Sequence, residues 1–269
     1  MSEATVPIAT IEEISVLREN LLTTKNIEND YHESDVDAMK TDDDFLSKFI
    51  IHEKFIHGHT RGTQLHVINY FKFRRCLRIN DLEIEKLNPD LLTKQLVYCY
   101  GKDKENHHLV WLNFSCYNKG EYPLLEYQNI CIYLFEQIFW LKENPHMTLV
   151  LNLANISHKN VEMKFIKFIM NTFQKYYPYL LSRLLFYKMP SFFSTTWNVF
   201  KRLINPKFVE RVAFVNEVEL QNFLPLEFIP TDMGGECSFK YSSSYYLENA
   251  KELKKCGKRD TIEKYDTTN

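Results

Sequence analysis

Four residues close together, His52, Glu53, His57 and His59, are the ones whose types best suit chemistry. Imidazoles spaced two or five residues apart beside a carboxylate are donors that zinc accepts. The segment joins two helical runs, however, and no cysteine or second carboxylate completes a tight motif. Surface and capping histidines explain it better, and no metal is expected. Serine catalysis would need a nucleophile elbow of the G-x-S-x-G type, which is missing. Ser191 and the run Ser242-Ser243-Ser244 have no histidine nearby. The six cysteines, Cys76, Cys99, Cys116, Cys131, Cys237 and Cys256, form no C-x-x-C pair, so they read as reduced thiols of a cytoplasmic protein. The carboxylates Asp42, Asp43 and Asp44 stand where a helix begins and are explained by its positive end. Seven glycines leave no phosphate-cradling loop. Neither an enzyme nor a cofactor is expected.

Composition points toward apolar binding. Hydrophobic residues make up 45% of the 269 positions, and 20 Phe, 16 Tyr and 3 Trp make up 14%. So many rings can line a large apolar space or fill a large core. A formal net charge of -2 gives no field for nucleic acid. The first ten residues carry neither a basic nor a long apolar stretch, so no signal peptide is expected. The apolar run at 130–141 holds Glu136 and is too short to span a bilayer.

The elements that must position these residues follow from periodicity. Residues 8–22, 34–39, 45–55 and 65–77 carry apolar residues at helical spacing, with Thr41 and Thr60 as expected caps. Asn88-Pro89 opens one more short helix, ending near Lys94. Residues 96–100 and 109–114 are strand-like runs on either side of a polar turn and read as a hairpin. Helices at 124–144 and 161–177 then separate strands at 147–153 and 184–187. A helix at 190–204 and a strand at 212–215 follow. Strand and helix in alternation imply crossovers and a largely parallel sheet flanked by helices, an α/β fold behind an N-terminal helical region. Residues 240–269 read as a loose polar tail, helical at most near 247–255.

Within this frame, the helix at 190–204 draws attention. Phe193, Trp197, Phe200 and Ile204 share one side, with Phe192, Val199 and Leu203 in a second row. Pattern alone makes it first a buried helix against the sheet, and second a movable lid over an apolar cavity. Lys201, Arg202 and Lys207 at its end suit anionic headgroups or simply solvent.

The order of motifs chooses between the two. Tyr176-Tyr-Pro178, a strand, Met189-Pro-Ser-Phe-Phe193, the helix bearing Trp197, Asn205-Pro206, a strand, and Ile229-Pro-Thr-Asp-Met-Gly-Gly235 together resemble the CRAL-TRIO lipid-binding family, over about residues 40–240. Met163–Phe173 and the stretch from Met233 to Tyr241 are similar to those members that continue into a major-sperm-protein domain and a membrane anchor. This chain would be a shorter relative or a fragment of one. The resemblance implies a domain at 95–239, preceded by a helical region at 1–94, that encloses a gated cavity for a phospholipid or other hydrophobic ligand. The lid would be Phe192, Phe193, Trp197, Phe200 and Ile204. The floor would be Trp111, Leu149, Leu151 and Leu185, and the wall Phe165, Phe168, Ile169 and Phe173. Phosphatidylinositol-binding members carry a Glu after the tyrosine–proline and a Lys before the strand that follows the lid. Tyr179 and Arg211 stand there instead, which weakens the expectation of phosphatidylinositol specificity. The implied protein is a monomer that transfers lipid and touches membranes transiently. An adaptor or membrane-recruitment module without transfer activity is the alternative.

Overall fold

Helices come first, and their caps decide where each begins. The structure, a computed structural model, describes residues 7–202 and 204–257, without the side chains of Thr195, Thr196, Val199, Phe200 and Gly257. Helix α1 (Ile11–Leu22) starts from a capping box in which Thr10 and Glu13 exchange hydrogen bonds. After α2 (Ile27–Asp30) and α3 (Glu33–Thr41), helix α4 (Asp43–His57) is capped by Asp42, whose Oδ1 accepts from the Phe45 N–H at 2.8 Å. Thr41 is therefore not the cap. Its hydroxyl donates to the Asp37 carbonyl and closes α3. Helix α5 (Thr63–Leu77) begins after Gly62, not Thr60, and a side chain at Gly62 would meet the Glu53 carboxylate at 2.8 Å. Helix α6 (Pro89–Thr93) follows its Asn88 cap.

A five-stranded sheet follows in the order β1 (Val97–Lys102), β2 (His108–Asn113), β3 (Met147–Asn152), β4 (Leu181–Tyr187) and β5 (Val212–Val215). The β1–β2 pair is an antiparallel hairpin, and the remaining pairs are parallel. Strands that advance in one direction with right-handed crossovers put their helices on one face. These helices are α7 (Leu124–Phe139), α8 (Met163–Asn171) and α9 (Ser191–Lys201). Helix α7 stops short of the expected 144, and α8 passes into a wider turn, Thr172–Tyr176. Asn205 caps the single turn α10 (Pro206–Val209), and Asn216 caps α11 (Glu217–Leu220).

The other face of the sheet, the back face, is covered by the returning chain at 224–241. Phe239 stacks on Tyr100 with ring centroids 3.9 Å apart. The return depends on Gly235, where a Cβ would lie 2.1 Å from the Ile229 carbonyl oxygen. The expected loose tail is corrected through residue 257. Helix α12 (Ser243–Gly257) buries Tyr246, Ala250 and Leu253, and the Tyr246 hydroxyl donates to the Ile130 carbonyl of α7 at 3.0 Å. One apolar residue in each turn was enough to dock a helix whose polar residues dominate the sequence.

The N-terminal helices are fastened to this α/β body by a buried polar cluster. Arg74 of α5 donates to Asp35 of α3 at 2.8 Å and pairs with Glu136 of α7, which also accepts from the Tyr177 hydroxyl. Burial alone would lower the Arg74 pKa, but Glu136, Tyr70 and Asp35 hold it well above the ordinary value.

Candidate functional site

The chain enters α9 through a constrained turn. Lys188 adopts a left-handed φ of 50°, its N–H donates to Val215 at 3.0 Å, and its ammonium pairs with Glu217. Pro190, just before the helix, accepts from the Phe193 N–H. Phe193 and Trp197 turn inward and are 2% and 6% exposed. Both face Phe186 of β4, at 6.5 and 5.0 Å between ring centroids. With Phe114, Leu151 and Ile169 they enclose a gap of about 10 Å³. That gap is smaller than a methylene group, so an acyl chain enters only if α9 moves away from the sheet.

Only part of the expected set converges there. Leu151, Ile169, Phe193 and Trp197 meet, and Leu149 shares their face of the sheet by its two-residue spacing from Leu151. Trp111 and Leu185 do not: both lie on the back face, Trp111 beside Tyr98 and Leu185 one residue from Phe186. Parallel strands are apolar on both faces, so hydrophobicity could not assign the sides. The parity of Asn113 and Asn152, polar residues in step with Trp111, was the usable signal. Phe165 stacks on Tyr117 at 4.5 Å and Phe173 packs on Phe135 of α7, so both stand behind the gap. Phe168, half-buried, lies against Phe165. Phe192 stacks on His158 at the outer edge. The side chain of Phe200 and all of Leu203 lie outside the described residues. Phe114, Ile166, Met170 and Phe186 line the gap and were not anticipated.

Ile204 belongs to a second space. A cleft of about 1000 Å³ separates α4 and α5 from the 174–176 turn and residues 202–208, and Ile204 and Phe208 line it beside His66. His66 Nδ1 donates to Glu53 at 2.9 Å, and its Nε2 has no partner among the described residues. His52 is buried, accepts from the Tyr179 N–H at 3.3 Å, and is pushed by burial down to about 3. His57 and His59 are exposed. The histidines are thus divided between structural contacts and solvent.

Tyr179 and Arg211 do come together. Tyr179 has φ 65°, and its carbonyl accepts from His146 at 2.9 Å. Arg211 donates to the Leu181 carbonyl and lies 4.4 Å over the Phe55 ring. Among the described residues no carboxylate pairs with it. Burial lowers the Arg211 pKa while neighbouring Tyr179 raises it. Lys207, exposed, donates to the Phe55 carbonyl at 2.7 Å, and Lys201 and Arg202 are exposed near the end of α9.

A model of the CRAL/TRIO domain matches residues 92–235. The chain is 24% identical over 157 residues to phosphatidylinositol transfer protein CSR1 of Eremothecium gossypii, a match covering 57% of this chain and 36% of that protein. It is 24% identical over 191 residues to a CRAL-TRIO domain-containing protein of Schizosaccharomyces pombe, covering 67% and 53% respectively. The matches thus span roughly a third to a half of these relatives. The crystal structure of Sfh5 is similar, with a TM-score of 0.63 at 17% identity over 90% of this chain and 99% of that one. Among the described residues no helix is long and apolar enough to cross a membrane.

Proposed function

This chain belongs to the CRAL/TRIO domain family, and from that premise we propose that it binds one phospholipid or similar hydrophobic molecule and transfers it between membranes, with no catalytic step. The observation that carries the reading is the wholly apolar layer between Leu151 and Phe186 on one side and Phe193 and Trp197 on the other. Each methylene buried there is worth about 0.8 kcal/mol, which favours an acyl chain over water once the layer parts. Prolines at 190 and 206 bound α9, so it can swing as a unit. The protein works as a cytoplasmic monomer, meeting membranes only while exchanging its ligand. Arg211 beside Tyr179 offers a cation without a carboxylate, suited to one phosphate rather than to an inositol ring.

The gap of about 10 Å³ favours a second reading, in which α9 stays shut and the domain recruits partners without carrying lipid. One experiment separates the two. The purified chain is incubated with mixed phosphatidylcholine and phosphatidylinositol vesicles, re-isolated and weighed by native mass spectrometry. Transfer of a fluorescent phospholipid is followed in parallel. One lipid per chain together with transfer is expected. A lipid-free chain with no transfer establishes the second reading.

A further inference from the structure

The back face of the sheet carries a cavity that lipid carriage does not use. It occupies about 770 Å³ beyond the carboxyl ends of β2, β3 and β4, under the returning segment 228–241. Crevices outside the carboxyl ends of parallel strands are common ligand positions in α/β sheets. Here the sheet itself is polar. Asn113, Asn152 and Tyr187 stand in one row, paired in register across the three strands.

The carboxamides are satisfied within the protein. Asn113 donates to the Gln95 carbonyl at 2.8 Å, Asn152 donates to Asn113 at 3.0 Å, and Asn152 accepts from the Ala154 N–H at 3.1 Å. The chain of bonds stops short of Tyr187, which is 1% exposed and whose hydroxyl lies against the Lys188 ammonium but, among the described residues, finds no acceptor for its own proton. The nearby Lys188 ammonium is held by Glu217. A buried hydroxyl whose proton has no acceptor is costly, and this one lines a cavity able to hold the missing acceptor.

The remaining lining narrows the ligand. Tyr98, Tyr100, Trp111 and Phe239 supply aromatic walls. Asp232 and Lys240 on the exposed lip offset each other, so no net charge calls for an ion. Aromatic faces pack against C–H groups, while a phenol and a carboxylate bond hydroxyls. We propose that this back-face cavity binds a neutral, hydroxyl-rich ring compound of the sugar type, with the Tyr187 hydroxyl donating to one of its oxygens.

Saturation-transfer NMR on the 1–269 chain tests this with glucose, galactose and mannose, each at about 10 mM, a level that reveals millimolar binding. Adenosine and inorganic phosphate are run alongside. At least one sugar is expected to bind. Tyr187→Phe keeps the ring and should retain the fold while weakening that sugar about tenfold, the usual consequence of one lost bond in a buried site. Asp232→Ala, on the exposed lip, should also weaken it and carries the test if Tyr187→Phe fails to fold. Absence of sugar binding, binding of adenosine or phosphate alone, or unchanged affinity in the folded variants overturns the proposal.

Discussion

Arg74 illustrates how much one buried side chain can hold. It joins Asp35, Tyr70 and Glu136, which belong to three helices, and is 4% exposed. Removing one partner of a buried pair leaves the other charges unpaired, which costs about 3–5 kcal/mol. Arg74→Ala should lose stability on that scale in urea denaturation. A loss below about 1 kcal/mol would mean the cluster is solvated. Buried histidines make a pH prediction. Burial pushes His52 down to about 3, and His108 and His146 down to about 4. His66, Arg211 and His57 add to the effect at His52, while Lys102 and His107 act at His108. In the unfolded chain each imidazole takes a proton as pH falls through about 6.5, whereas the folded chain refuses it until far lower. The stability they contribute is therefore whole above about pH 6.5 and declines below it, by up to about 1.4 kcal/mol per pH unit for each group. Asp103 would be raised by burial, but bonds from His107 and Thr148 hold it to about 2, so its own loss begins only near pH 4 and below. Urea midpoints at pH 7.5, 6.5 and 5.5 should fall in that order, and His52→Gln should flatten the slope. A flat wild-type profile would contradict neutral burial.

Two helices define the next scale. Helix α12 looked loose because its sequence is polar, yet Tyr246 lies 2% exposed against α7. Tyr246→Ala removes a large buried ring and should cost about 3–5 kcal/mol. A chain truncated before 243 should be correspondingly less stable, measured by thermal melting. Helix α9 is the opposite case, since its apolar side is buried but both its ends are turns. Lys188 in the left-handed region is strained by about 1 kcal/mol or more, which eases departure from that turn. Amide hydrogen exchange should show α9 opening at lower free energy than β2–β4, with faster exchange when vesicles are added. If α9 and the central strands exchange together only on global unfolding, the helix is plain core and the transfer reading fails with it.

At the scale of the whole molecule, most of the architecture was readable in the chain. Two apolar runs about the polar turn at 101–108 predicted the hairpin, and strand–helix alternation predicted the parallel order, because composition and connection length are local properties. The motif order from Tyr176 to Gly235 was enough to suggest the family that the domain match supports. The candidate site was legible only in part. Phe193, Trp197, Leu151 and Ile169 meet in one layer with Phe186, which had not been named, while Trp111 and Leu185 lie on the other face of the sheet. Residue type determined that α9 would bury an apolar side. Tertiary packing alone decided which face of each two-sided strand meets α9, how little space remains between them, and that Asn113, Asn152 and Tyr187 align across three strands. Those are outcomes of register between segments far apart in the chain, and a one-residue shift would reverse every one of them.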